Sequence, residues 1–187
     1  MVKKIFISLF LLLGLGLLLP NVFVQAAQTT VSTAPHWQSG SITVYVPQKE
    51  AKTAMVQHAF QKWERSSYGN LKFRFVEKEP AQITVEFVNN LSGSDGSVGL
   101  CNLSIEGNYI TKANIKIVAN NKNYSNDLVY TTMLHEIGHA LGLNHNERKY
   151  RSIMHFPVDE TQDILSIDVE KLFKINGWSW SQKNVNK

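Results

Sequence analysis

The sequence has little that could tie the chain together covalently or draw it to a highly charged partner. It has one cysteine, Cys101, so no disulfide can form within the chain, and the fold depends on its core and on any bound metal. The formal net charge is only +4, and no basic run with interleaved aromatic residues occurs, which excludes nucleic acid as a partner. A single long apolar run is present, at the N-terminus, and no internal repeat is found.

Residues 1–26 are predicted to be a signal peptide. Two lysines precede an almost unbroken apolar run over residues 5–19, and small residues allow cleavage after Ala26. An uncleaved membrane anchor is the alternative, although the run is short for crossing a bilayer. Cleavage would leave 161 residues (187 − 26), the size of one domain, with a net charge of +2 (4 − 2). We therefore expect a secreted, extracellular monomer without stable membrane association.

Hydrophobic periodicity predicts an α+β domain over residues 36–178, between a short linker (27–35) and a C-terminal tail (179–187). Alternation with a period of two predicts strands at residues 42–46, 71–75, 83–87, 100–105 and 109–118. Helical periodicity occurs over residues 49–66, at 126–141, and in a last helix capped by Ser166 and ended by Gly177. The alternating strands indicate a sheet with one buried face, which the first two helices would cover.

An eleven-residue stretch that begins at His135 has the spacing H-E-x-x-H-x-x-G-x-x-H. His135 and His139 are four residues apart, so on a helix they share a face and can reach one Zn²⁺. Glu136 is rotated about 100° from His135, which places it beside the metal as a base rather than as a ligand. Gly142 can end the helix and let His145 approach from an irregular segment. Three neutral imidazoles leave a fourth position open, which is typical of a catalytic zinc site.

The helix that carries this motif is predicted to turn one face to the core and the other to a cleft. Ser125 or Asn126 can cap its start, and Asp127 suits the positive end of its dipole. A surface helix with incidental histidines would explain neither Glu136 nor the histidine beyond Gly142. The apolar residues opposite the histidines are Val129, Tyr130, Met133, Leu134, Ile137, Ala140 and Leu141.

The motif is identified as that of the metzincin branch of zinc peptidases. Ser152-Ile153-Met154 resembles the metzincin Met-turn, which places a methionine, here Met154, beneath the metal. The chain also resembles a matrixin catalytic domain over most of residues 36–178, in short segments that keep the family's order. The resemblance implies an α+β zincin fold: a twisted five-stranded mixed sheet, two long helices on one face, a C-terminal helix and a substrate cleft. The similar segments are residues 59–63, 71–73, 81–88 and 165–168.

Other positions depart from the related families. Matrix metalloproteinases hold a structural zinc on earlier histidines, but here only His36 and His58 precede the motif, and His58 lies in a predicted helix. One catalytic zinc is therefore expected. Calcium is not supported, because Asp95 and Glu106 are the only acids between residues 89 and 126.

Three positions after the third histidine are also unusual. Asn146 matches neither the matrixin nor the astacin residue, so the subfamily stays open. Phe156 lacks the hydroxyl of the astacin tyrosine, which excludes a tyrosine ligand. His155 either packs the turn or donates a hydrogen bond near the substrate.

Substrate contacts are expected at the edge strand near residues 100–105 and after the Met-turn, where Pro157 and Val158 would help form a specificity pocket. Cys101 is either a small buried apolar residue or a thiol near the zinc. A cysteine-switch propeptide is not expected, because residues 27–35 contain no cysteine. The candidate substrate-binding residues are Leu100, Cys101, His155 and Pro157.

These features together predict a zinc metalloendopeptidase that cleaves a protein or peptide substrate. Glu136 would act as general base and His135, His139 and His145 as zinc ligands. A catalytically silent binding module that keeps zinc for structure is one alternative, but it predicts a broken ligand set or a lost glutamate. A peptidase acting on cell-wall peptides is the other alternative, and it would share the chemistry.

Overall fold

The computed structural model describes residues 34–91 and 97–179. The predicted signal peptide, most of the linker, Asp95 and nearly all of the tail lie outside the described residues. The strands are β1 (Ser41–Tyr45), β2 (Lys72–Val76), β3 (Ile83–Val88), β4 (Gly99–Glu106) and β5 (Tyr109–Val118). The helices are α1 (Thr53–Ser66), α2 (Asn126–Ala140) and α3 (Ser166–Asn176).

The five strands form one mixed sheet in the order β2-β1-β3-β5-β4. Neighbours from β2 to β5 pair in parallel, whereas β4 pairs antiparallel with β5 and lies at the edge. The predicted α+β fold with a five-stranded mixed sheet and three helices is confirmed. The antiparallel edge strand leaves one row of its backbone groups unpaired by the sheet, on the side away from β5.

The core lies between the sheet and the first two helices. Ala113, Ile115 and Ile117 alternate along β5 and are fully buried, as the period-two pattern predicts. Helix α1 buries Val56, Ala59, Phe60 and Trp63, and α2 packs against α1, β4 and β5. The Trp63 indole donates a hydrogen bond to the Leu134 carbonyl oxygen, 2.9 Å away, which joins the two helices inside the core.

Helix α2 is more enclosed than its periodicity predicts. The expected cleft face is also buried at Thr131, Thr132, His135 and Glu136. Gly99 of β4 packs on Thr132 and Glu136, and the Ile153 carbonyl next to Met154 contacts His135. The helix start agrees with one of the two predicted caps, since the Ser125 hydroxyl accepts a hydrogen bond from the Leu128 N–H. Among the described residues, no helix has the length and apolar character to cross a membrane.

Helix α1 begins later than predicted, whereas α3 begins at the residue that was predicted to cap it. Helix α1 starts at Thr53 rather than near residue 49, because Lys49 has a φ of 66°, outside the helical region. Ser166 is the first residue of α3 and not its cap: Leu165 precedes it, and the Asp168 carboxylate accepts the Leu165 N–H. The predicted end of α3 at Gly177 is confirmed, with a left-handed φ of 64°.

The far end of α2 contacts the first described residues of the chain. The Trp37 indole N–H donates to the Ala140 carbonyl oxygen at 2.8 Å, in a buried hydrogen bond across 103 residues. Gly142 follows with a φ of 90°, and a Cβ there would lie 2.3 Å from the Pro35 carbonyl oxygen. Both its backbone angle and its neighbour therefore require glycine at this turn.

Candidate metal centre and active site

Helix α2 and the turn after it bring three histidines to one point. His135 and His139 project from successive turns of α2, and the chain reverses at Gly142 to bring in His145 from an irregular segment. The Nε2 atoms are 3.0 Å apart for His135 and His139, 3.2 Å for His135 and His145, and 3.1 Å for His139 and His145. Within residues 34–91 and 97–179, this is the group of side chains placed to hold a metal ion.

The hydrogen bonds of two of these rings decide which nitrogen faces the centre. His135 Nδ1 lies 2.6 Å from the Ile153 carbonyl oxygen, and His139 Nδ1 lies 2.8 Å from that of Leu143. A carbonyl oxygen can only accept, so Nδ1 carries the proton and Nε2 presents a lone pair.

Lone pairs this close repel one another unless a cation lies among them. Tetrahedral zinc with imidazole ligands would separate its nitrogens by about 3.3 Å, close to the observed spacing. The three rings therefore fit a zinc ion.

Burial favours the neutral form of these imidazoles, which is the form that binds metal. It lowers the pKa of His135 to about 3, helped by the neighbouring His139, although the bond to Ile153 opposes the shift. Burial is also the main cause of the lowered pKa values of His139 and His145.

Glu136 lies next to the histidines at the base of the cleft and is only 6% exposed. Desolvation raises the pKa of its carboxyl to about 8 in the metal-free protein. A divalent cation at the histidines would oppose this shift by attracting the carboxylate. Gly99 of β4 packs against this side chain: a Cβ there would lie 2.6 Å from Glu136 Cγ and 2.8 Å from Oε1.

Met154 is fully buried beneath the histidine-bearing helix. It packs on Gly138, where a Cβ would lie 2.3 Å from the methionine sulfur. Ser152 holds this turn in place, because its hydroxyl donates to the Asp168 carboxylate of α3 and accepts the Met154 N–H. The same turn supplies the Ile153 carbonyl that orients His135.

Sequence reasoning missed the roles of Gly99, Gly138, Ser152 and Asp168. A glycine inside a helical pattern is a signal of close packing, and Gly138 could have been identified on that ground. No comparable local signal marks Asp168, because its partner on the Met-turn is 16 residues away.

A cleft of about 620 Å³ opens above the histidines. Of the four candidate substrate-binding residues, Leu100, Cys101 and Pro157 line it, whereas His155 is not among its lining residues. The wall also includes residues that were not singled out as contacts: Tyr124, Leu128, Thr132, Leu143 and Phe156. Most of these are apolar, so the cleft can accept hydrophobic side chains.

The surroundings of His155 and Cys101 bear on their predicted roles. His155 was expected either to pack the turn or to donate near the substrate, and Cys101 to be either a buried apolar residue or a thiol near the zinc. His155 Nδ1 lies 3.1 Å from the Asn146 carbonyl oxygen, so its ring contacts the segment that follows the third histidine. Cys101 is half-buried and is not part of the histidine group. Burial raises the pKa of its thiol, and the charge of Glu136 adds to the effect, so the neutral thiol is favoured.

Comparison with known proteins agrees with this geometry. The family model described as Matrixin, of the M10 peptidases, matches residues 36–172. No curated protein matches the chain. Because the match spans 137 of the 187 residues and includes the sheet, both long helices and the histidine site, the chain belongs to the matrixin family of metallopeptidases.

Proposed function

We propose that the chain is an exported, zinc-dependent endopeptidase with Glu136 as its general base. The observation that carries the proposal is the convergence of three Nε2 atoms within 3.2 Å of one another, beside a buried glutamate, at the base of an open cleft. A purely structural zinc site would have no use for a desolvated carboxylate or for access from the cleft.

Zinc bound by His135, His139 and His145 would polarise the scissile carbonyl and make water more acidic. Glu136 accepts a proton as water adds to the carbonyl carbon. It then donates that proton to the amide nitrogen as the C–N bond breaks, leaving a carboxylate and an amine. A general acid–base role of this kind contributes about 10²–10⁴-fold to the rate.

The edge strand β4 supports binding of an extended peptide. A peptide can add to an unpaired strand edge through backbone hydrogen bonds, which orient it without reading its sequence. Leu100 and Ile105 of β4 line the cleft and are both partly exposed, so they can contact substrate side chains. Leu100, Cys101 and Pro157 remain our candidates for substrate contact, and His155 for an indirect role through Asn146.

We further propose that residues 1–26 direct export and are then removed, so that the enzyme acts outside the cell as a monomer on proteins or peptides. The N-terminal lysines followed by an apolar run support this part of the proposal. Mass spectrometry of protein purified from the culture medium would test it, with cleavage after Ala26 as the expected result.

The experiment for the catalytic site measures zinc content and casein cleavage in the mature chain and two variants. We expect one zinc per chain and zinc-dependent cleavage. Glu136→Ala should retain zinc and lose activity by about 10²-fold or more. Glu106→Ala, which removes an exposed acid from the end of β4, is the matched control and should behave like the unmodified protein. Unchanged cleavage by Glu136→Ala would exclude the assigned base, and a zinc-loaded but inert protein would favour a binding module.

A further inference from the structure

We propose that Phe156 is a positioning residue that holds the third histidine, His145, in its metal-binding orientation. The two rings are stacked, with centroids 5.2 Å apart and planes inclined by only 18°. This inference rests on the proposed function, because it assumes that His145 is a metal ligand. It gives a role to an aromatic side chain that cannot itself be a ligand.

The three histidines are not held in the same way. Carbonyl oxygens fix the rings of His135 and His139 through Nδ1, which is the usual way a protein orients an imidazole ligand. In the described part of the chain, no hydrogen bond reaches Nδ1 of His145. His145 is also the most exposed of the three and lies outside any helix. Its ring therefore needs another constraint, and stacking supplies one.

The surroundings of Phe156 fit this role. Its side chain is 58% exposed, so it contributes little to the core, and stacking on His145 is the ring contact found for it. Offset stacked rings at such distances attract each other beyond the effect of the area they bury. A parallel neighbour restricts rotation about the imidazole's last side-chain torsion, which otherwise is broad.

The backbone on either side of the ring pair is fixed by two further contacts. The Asn146 N–H donates to the Met154 carbonyl oxygen at 2.6 Å, and His155 Nδ1 donates to the Asn146 carbonyl oxygen at 3.1 Å. Residues 154–156 thus contact the segment of the third histidine at two backbone sites and one ring. The backbone contacts place the segment, and Phe156 sets the plane of the imidazole.

The experiment measures zinc affinity by competition with a chromogenic chelator, using the mature chain and its variants. Phe156→Leu keeps an apolar side chain but removes the flat ring. It should weaken zinc binding by about 3–10-fold, the range that an exposed ring stack can supply. Phe156→Trp retains a stacking surface and should stay within about twofold of the unmodified protein. The visible spectrum of the cobalt-substituted protein should change in Phe156→Leu, because the geometry at the metal is altered.

Two controls separate positioning from general stability. The metal-free Phe156→Leu protein should melt at the same temperature as metal-free unmodified protein, because the side chain is mostly exposed. Tyr150→Leu removes another exposed aromatic ring, 70% exposed, from the loop that joins His145 to the Met-turn, and should leave zinc affinity unchanged.

Each outcome decides the question. Unchanged zinc affinity and cobalt spectrum in Phe156→Leu would overturn the inference, even if KM rises, because Phe156 would then only contact substrate. Equal losses in Phe156→Leu and Tyr150→Leu would also overturn it. In both cases, zinc-dependent and Glu136-dependent cleavage by the unmodified protein would leave the proposed function intact. Failure of the unmodified protein to bind zinc would refute both proposals.

Discussion

Two glycines determine how closely the groups of the site approach one another. Gly99 brings the edge strand against Glu136, and Gly138 lets Met154 pack directly under α2. In each case the space that a Cβ would need is taken by a side chain of the proposed active site. The function of these residues is therefore to be small.

Gly99→Ala should reduce activity without reducing zinc content. The added Cβ would lie 2.5 Å from Thr132 Cγ2 and 2.6 Å from Glu136 Cγ, so the glutamate or the strand must move. A displacement of about 1 Å in such a site can cost about 10²-fold in rate. Measurement of kcat/KM and bound zinc would test this. Adding Thr132→Ser removes the clashing methyl group of residue 132 and should recover part of the loss. No recovery would indicate that Glu136 alone blocks the Cβ.

Gly138→Ala should destabilise the protein, although alanine is the better helix former by about 1 kcal/mol. The new methyl group would lie 2.3 Å from the Met154 sulfur, and overpacking of this kind costs about 1–3 kcal/mol. Denaturant unfolding of Gly138→Ala, Met154→Ala and the double variant would test the contact. The double variant should lose less than the sum of the single losses, and strict additivity would contradict direct packing.

The sequence predicts the site residues unevenly. The ligands and Glu136 share one short segment, so their spacing alone is enough to predict them. The packing of Gly99 on Glu136 depends on how β4 lies across α2, which no local pattern encodes. Phe156 was recognised only for the hydroxyl it lacks, because its stacking on His145 depends on how the Met-turn folds back.

At the scale of elements, α3 and the Met-turn form one unit joined by Asp168. Its carboxylate accepts hydrogen bonds from the Ser152 hydroxyl and the Leu165 N–H, and both Asp168 and Ser152 are fully buried. Burial raises the pKa of this carboxyl although these hydrogen bonds oppose the shift. The element farthest along the chain thus supports the turn that orients His135.

Asp168→Ala should lower the free energy of unfolding by about 3 kcal/mol, because it leaves buried donors without partners. Lys72→Ala breaks an ion pair with Glu64 in which the lysine is 74% exposed, and it should cost at most about 1 kcal/mol. Comparison of the two variants by chemical denaturation provides the measurement. If both variants lost the same free energy of unfolding, the buried hydrogen bonds of Asp168 would contribute no more to stability than the exposed ion pair does.

The elements themselves were largely predictable. The strands can be predicted from the alternation of apolar and polar residues, as at Ile115 and Ile117, because this alternation is a local property of the sequence. The strand order does not follow from that pattern: the resemblance implied only a five-stranded mixed sheet, and the order β2-β1-β3-β5-β4 is seen in the structure alone. The late start of α1 was missed because the left-handed conformation of Lys49 has no signature in the sequence.

For the whole molecule, the metal should act as a cross-link where disulfides are absent. The three ligands join α2 to the segment beyond Gly142, and two of them are fixed by carbonyls of other segments. Zinc at about a thousand times its dissociation constant should add about 4 kcal/mol of stability. For a domain of this size, the melting temperature should then fall on the order of 10 °C on chelation. Calorimetry would test this: zinc should restore the transition and magnesium should not. A transition unaffected by chelation would contradict the prediction.

The hydrogen bond from Trp37 to the Ala140 carbonyl has a consequence for how the molecule assembles. It closes the end of the histidine-bearing helix with a residue 103 positions earlier, while Met154 supports the same helix from later in the chain. Contacts this distant in sequence form slowly, because closing the long loop costs conformational entropy before the contact contributes any favourable energy. A complete metal site therefore requires both ends of the domain to be in place, so zinc uptake during refolding should report the last folding step rather than start the process.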